Sequence, residues 1–187
     1  MVIRHLCIVG LSALALSACE EPAAEPASAP ANPPTTAPVP AATASIVVDG
    51  EGLKAGPGST PIAFGSPRAT VEAAVKAALG SDPIVSENQD CPTGSATVLD
   101  WGDAVQVVLQ DGAFVGWRAD DATVRTTSGL HVGSTRAAAQ AGNDFSLPET
   151  TLDAVEISVD GVGGFLTSAG PDGTVEQLFA GDICMAR

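Results

Sequence analysis

The chain has 187 residues, enough for one or two small domains, and carries 22 acidic against 8 basic side chains, a formal net charge of −14. A surface of that sign repels nucleic-acid phosphates and anionic lipid headgroups, which argues against nucleic acid as a partner and against a basic face as a membrane grip. Acidity keeps a protein soluble but names no ligand.

The chain opens with a short positive start, Arg4 and His5, and an apolar run over residues 6–16. That run has secretory-signal length and is too short to span a bilayer comfortably. It leads into Leu16-Ser17-Ala18-Cys19. This ending resembles the lipobox of bacterial lipoproteins. The resemblance implies acylation of the Cys19 thiol, then cleavage that leaves Cys19 as the first residue. The competing reading is an ordinary signal peptide with an incidental cysteine. Glu20, in place of an aspartate, implies by the same resemblance sorting to the outer membrane, facing the periplasm. Loss of residues 1–18 would take Arg4 and no acid, leaving 7 basic and 22 acidic side chains. Several acyl chains, at about 0.8 kcal/mol per buried CH₂, would then hold the protein at the membrane.

Residues 19–44 form the lipidated cysteine and a linker. Pro22, Pro26, Pro30, Pro33, Pro34, Pro38 and Pro40 lie among alanines, with no apolar periodicity to bury. Such a segment reaches between about 30 Å as a coil and about 75 Å as a polyproline rod. Residues 45–187 are expected to form a single α+β domain of two related halves, about 45–126 and 127–187.

The relation between the halves rests on two short stretches. Phe64-Gly65-Ser66-Pro67-Arg68-Ala69 and Val132-Gly133-Ser134-Thr135-Arg136-Ala137 share Gly, Ser, Arg and Ala at a constant offset of 68. Each serine is expected to cap a helix through its hydroxyl, with Pro67 at the first helical position. Val71, Val75 and Leu79 form one apolar stripe, widened by Ala74 and Ala78 and stopped by Gly80 and Pro83. The second helix is short, about residues 135–141, and ends at Gly142-Asn143.

Strands are expected over residues 95–101 and 104–109, then 113–118 after an Asp111-Gly112 hairpin turn. The second half echoes them over 154–159, 164–167 and 174–180, with Pro171-Asp172-Gly173 as its turn. The two Asp-Gly pairs lie 61 apart rather than 68, so a repeat needs a seven-residue shortening; coincidence of common turn signals is the alternative. The expected fold is an antiparallel sheet with helices on one face, a tandem duplication of a helix–meander unit. Phe64, Phe114, Trp117, Phe165 and Phe179 would pack the sheet–helix layer or line a groove on the free face.

Four cysteines have separate fates. Cys7 leaves with the signal and Cys19 takes lipid. Cys91 and Cys184 remain in an oxidising compartment and are expected to form a disulfide. They are 93 positions apart, so the chain-entropy account gives about 4–5 kcal/mol at most. A metal or nucleophile role is the alternative, but Pro92 follows Cys91 and His131 is the sole histidine after the signal.

The helix ending Leu79-Gly80-Ser81-Asp82-Pro83, followed by a meander with an Asp-Gly turn, resembles the helix-plus-sheet repeat of the β-lactamase inhibitory protein. It also resembles the small helper lipoprotein of the outer-membrane barrel-assembly machinery. The likeness covers residues 62–118 and, more faintly, 130–184. It implies protein binding by a sheet face or loops, and it transfers no individual binding residue. Cys91-Pro92-x-Gly94, Asp111-Gly112-x-Phe114-x-Gly116-Trp117 and Ala180-Gly181-Asp182-Ile183-Cys184 resemble uncharacterised lipoproteins of sphingomonad-type alphaproteobacteria. Chains of that kind sometimes bear the name aspartate-semialdehyde dehydrogenase. The residues argue against that activity: Gly161-Val162-Gly163-Gly164 has the wrong spacing for a dinucleotide loop and lies among strands.

Asp100, Asp103, Asp111, Asp120 and Asp121 form an acidic rim without a calcium-loop pattern. There is no Gly-x-Ser-x-Gly elbow, Ser66 and Ser134 have a capping role, and His131 has no identified partner. No catalytic residue, metal or cofactor is therefore assigned. The functional expectation is non-catalytic binding of an envelope protein, or scaffolding. The alternative is a small-ligand or glycan-binding module; a hydrolase is a weaker one. The candidate binding face comprises Trp101, Trp117 and Phe114.

Overall fold

The computed structural model describes residues 46–185 apart from Asp103 and Thr151. The signal, Cys19 and the linker lie outside the described residues, as does Asp103 of the acidic rim. In chain order the elements are β1 (Ile46–Asp49), β2 (Gly52–Ala55), β3 (Ile62–Ala63), α1 (Arg68–Leu79), β4 (Ile84–Asn88), β5 (Ala96–Asp100), β6 (Gln106–Gln110), β7 (Ala113–Ala119), β8 (Val124–Thr126), α2 (Arg136–Gln140), β9 (Phe145–Ser146), β10 (Val155–Val159), β11 (Val162–Leu166) and β12 (Val175–Gly181).

The fold is mostly antiparallel sheet with two helices. It differs from the expected single sheet in having two: a four-stranded sheet in the order β3-β2-β1-β8, and an eight-stranded sheet in the order β4-β5-β6-β7-β12-β11-β10-β9. In the smaller sheet β1 and β8 pair in parallel, from Ile46 opposite Val124 to Val48 opposite Thr126. Strands this short, the longest with only four residues, carry too little alternation to be recognised from sequence.

The elements follow from local chemistry. In α1, Val71 and Val75 point into the core and Gly80 stops the helix at φ 74, its N–H donating to the Lys76 carbonyl. Asp111 and Gly112 both take positive φ, 49 and 76, the signature of the tight turn that matches strand twist. Asp160 and Gly161, at φ 51 and 81, make the same kind of turn between β10 and β11. The expected serine caps are corrected. Pro67 occupies the cap position of α1 with no side-chain hydrogen bond, and at α2 the cap is Thr135, whose Oγ1 accepts from the Ala138 N–H at 3.1 Å.

The two halves repeat one pattern of backbone hydrogen bonds. Gly65 donates to Phe114 O, Phe114 to Ser66 O and Arg68 to Gly112 O, at 2.7, 2.9 and 2.9 Å. Gly133 donates to Val175 O, Val175 to Ser134 O and Arg136 to Gly173 O, at 2.7, 2.9 and 2.8 Å. Both leading glycines have φ 88, a left-handed conformation that other residues adopt only under strain. A β-bulge also recurs: the β6·β7 register skips Val115, and the β11·β12 register skips Glu176. Where the halves meet, Leu178 lies opposite Ala119, Phe179 opposite Arg118 and Ala180 opposite Trp117.

One core gathers Val71 and Val75 of α1, Ala139 of α2, the inward residues of the large sheet such as Leu99, Val107 and Ile157, and Ile46, Val48 and Leu53 of the small sheet. At its centre Trp117 is 0% exposed, and its Nε1–H donates to the Asp49 carbonyl at 2.9 Å. The ring belongs to the large sheet and the acceptor to the small one. Phe114 is equally buried and meets Phe64 edge-on, with ring centroids 4.9 Å apart.

Trp117→Ala should cost about 3–5 kcal/mol by cavity formation. Trp117→Phe should cost about 1–3 kcal/mol, since it keeps a ring but orphans the Asp49 carbonyl. Urea denaturation of the soluble domain checks the order; an unchanged stability for Trp117→Phe would show that the hydrogen bond contributes nothing, and equal losses for the two variants that the ring adds nothing beyond it.

Candidate functional site

Because side chains alternate along strands, the large sheet has a second face, opposite the core. The chain end crosses it. At Gly181, φ 73, the backbone leaves β12, and Asp182 N–H donates to the Val115 carbonyl at 2.9 Å. A Cβ added at Gly116 would sit 2.2 Å from the Asp182 carbonyl oxygen, so only glycine lets this strap lie on β7. Cys184 is bonded to Cys91 with the Cα atoms 4.7 Å apart. Ile183 and Cys184 close a small second core over Cys91, Ala96, Val108 and Val115. Thr93 Oγ1 donates to Asp182 Oδ2 at 2.5 Å, and Gln110 Nε2 donates to Thr93 Oγ1 at 2.6 Å.

Beside the strap runs a row of polar side chains. Gln106 Nε2 donates to Asp100 Oδ2 at 3.0 Å. Arg118, opposite Gln106 in register, pairs through Nη2 with Asp120 Oδ2 at 3.2 Å. Gln177 Nε2 donates to Asp120 Oδ1 at 2.6 Å. Four adjacent strands thus contribute to one ladder, because each residue falls on the outward half of the alternation. Phe165 and Phe179 continue this face, with centroids 5.3 Å apart. Arg118 Nε is buried with no hydrogen-bond partner.

The aromatic face expected from sequence is corrected. Trp117 and Phe114 fill the core, and Trp101 is 8% exposed with its Nε1–H donating to the Ser81 carbonyl at 3.1 Å. Residue type alone does not say which side of a strand a tryptophan occupies, and the bulge at Val115 puts Phe114 and Trp117 on the same, inward side. Sequence reasoning missed Arg118 and Gln177. The alternation of Arg118 with Trp117 and Ala119 was the available signal.

Two concavities adjoin the strap. One, of about 450 Å³, is lined by Thr93, Gly181, Asp182, Ile183 and Met185. The other, of about 210 Å³, includes Glu156, Ser158, Gly163 and Phe179. Among the described residues no three His, Cys, Asp or Glu side chains group as metal ligands, and no helix is long and apolar enough to cross a membrane.

His131 has a partner after all. Its ring Nδ1 meets Ser134 Oγ, which also accepts from the His131 backbone N–H at 3.0 Å. Burial, and secondarily the Arg125 charge, hold the imidazole pKa below its usual value. The lowered pKa favours the neutral ring, whose tautomer sets which of Ser134 Oγ and His131 Nδ1 donates to the other. This contact closes the turn before α2 and leaves the buried Ser134 no role as a cap or as an exposed nucleophile.

No family model matches the chain, and no curated protein matches it. Among solved structures, it is similar to the uncharacterised protein yfeY from Escherichia coli, at 15% identity and a TM-score of 0.43 over 73% of this chain and 99% of that one.

Two outcomes follow from this geometry. The Arg118–Asp120 pair is about one-third exposed, so its loss should cost less than about 1 kcal/mol. Removing the unpartnered Nε relieves about 1–3 kcal/mol. Arg118→Met should therefore leave stability unchanged or raise it in urea melts, and a clear loss would show that the ladder is a structural necessity. For His131, the unfolded chain takes up its proton first as pH falls below about 6.5. Stability should thus decline as pH falls through and below that value, and His131→Gln should flatten that slope. Thermal melts across these pH values measure both.

Proposed function

We propose that this chain is a lipid-anchored cell-envelope protein, non-catalytic, that binds another envelope protein through the outer face of its large sheet. The observation that carries the reading is the ladder of Gln106, Arg118, Asp120 and Gln177 on a face opposite the core in which both helices are buried. Its polar groups are already held in place by one another, which lowers the ordering cost of association. The disulfide and strap fix the neighbouring surface. Anchoring rests on Leu16-Ser17-Ala18-Cys19, and the outer membrane on Glu20.

The same reading includes descent from a duplicated helix–meander unit. Its support is the recurrent hydrogen-bond set, the recurrent bulge and the self-consistent register at β7·β12. The reading also takes in the resemblance of residues 62–118 to the β-lactamase inhibitory protein and the barrel-assembly helper lipoprotein, and that of the Cys91-Pro92-x-Gly94, Asp111–Trp117 and Ala180–Cys184 stretches to sphingomonad-type lipoproteins. A second reading, a small-ligand or glycan module, is favoured by the 450 Å³ hollow beside Asp182, within the usual range for ligand sites. It would not use the tryptophans.

Proximity labelling from the native lipoprotein in living cells tests the first reading, with Cys19→Ala as the secreted control and Arg118→Met as the face variant. One envelope protein should be enriched with the anchored form and lost with the face variant. Diffuse labelling identical in all three would remove the reading, and flat titrations of envelope sugars and peptides would remove the second.

A further inference from the structure

We propose that the free edge of β4 takes up one extended, basic segment of another polypeptide as an added strand. This surface is distinct from the sheet face, so the two proposals stand or fall separately.

β4 pairs with β5 from Ile84 opposite Asp100 to Asn88 opposite Ala96, without a bulge. No described strand pairs on its other side. Its row of backbone donors and acceptors is therefore open, and Ile84 is 73% exposed and Val85 47%. Sheet edges are normally blunted by lysine, proline, a bulge or shortness. The far edge follows that rule: β9 has two residues and Pro148 stands just beyond it. β4 has five residues with no lysine, proline or bulge within it; Pro83 stands before it and Glu87 is its one charged side chain. It is also held ready, since the Trp101 indole donates to the Ser81 carbonyl just before it.

Charge selects the occupant. No lysine or arginine occurs between Lys76 and Arg118, a stretch that holds β4, β5 and β6. Lys76 is already paired with Asp82. Glu87 within β4 and Asp90 just beyond it are exposed, while Asp82 is engaged by Lys76. A second copy docked edge to edge would bring two such acidic borders together, which like-charge repulsion opposes. An extended segment alternating cationic and apolar residues would instead set its apolar side chains on the face of Ile84 and its cations on the opposite face, beside Glu87. Backbone hydrogen bonds would give its affinity, and the alternate side chains its selectivity.

The probe is a short amidated peptide alternating lysine with valine, compared with its glutamate–valine counterpart. Hydrogen exchange on the oxidised soluble domain reports the place, and fluorescence anisotropy the affinity. The lysine peptide should bind, slow amide exchange in residues 84–88, and weaken with added salt. Ile84→Lys with Val85→Lys should weaken binding by at least about tenfold, and Ile84→Ser with Val85→Ser should weaken it less, since no cation is introduced. Both positions are exposed, so the variants should fold. No binding, equal binding of the two peptides, protection away from β4, or indifference to both variants would overturn the proposal. So would a concentration-dependent dimer that protects β4 without peptide.

Discussion

The indole of Trp117 is the interaction on which the arrangement depends. It stands on the strand where the two halves of the large sheet meet, lies wholly within the core, and reaches the backbone of the small sheet through Asp49. A buried ring of this size supplies much of the apolar area that a small domain can bury, and its polar atom still requires an acceptor. One side chain thus joins two sheets and sets the depth at which they pack. The rest of the core, from Val71 on α1 to Ile157 on β10, is arranged around that fixed distance.

The parts of the fold governed by local chemistry were legible in the sequence. The stripe Val71–Val75 with Gly80 behind it gives α1, Asp111-Gly112 gives its hairpin, and Cys91 and Cys184 find each other. The small sheet was not legible. Its parallel pairing of β1 with β8 joins segments more than seventy residues apart, and no local pattern encodes a partner at that distance. The candidate site failed for a related reason. Tryptophan suits an exposed groove and a core equally, and its side is decided by register, which one bulge resets. Arg118, lying between two inward residues, was readable from alternation; its link to Gln177, on a strand from the other half, was not.

The large sheet uses its two faces and two edges differently. One face is closed by helices and the small sheet. The other is partly closed by the strap, which glycines at 116 and 181 allow to lie against β7. The uncovered part of that face carries polar groups that hold one another, so it stays hydrated without being disordered. One edge is cut short at β9, while the other runs the full length of β4 in an acidic border. In the proposed docking at β4, specificity for a partner would come as much from what this border repels as from what it attracts.

The position of β1 has a mechanical consequence. It is an inner strand of its sheet, bonded to β2 on one side and to β8 on the other, with Asp49 at its end held by Trp117. Any pull transmitted along the chain ahead of Ile46 arrives at this strand. It must shear two ladders together instead of unzipping one bond at a time, and the load passes into both ends of the first half at once. A domain gripped this way resists traction from its leading segment, and that load enters far from the edge at β4.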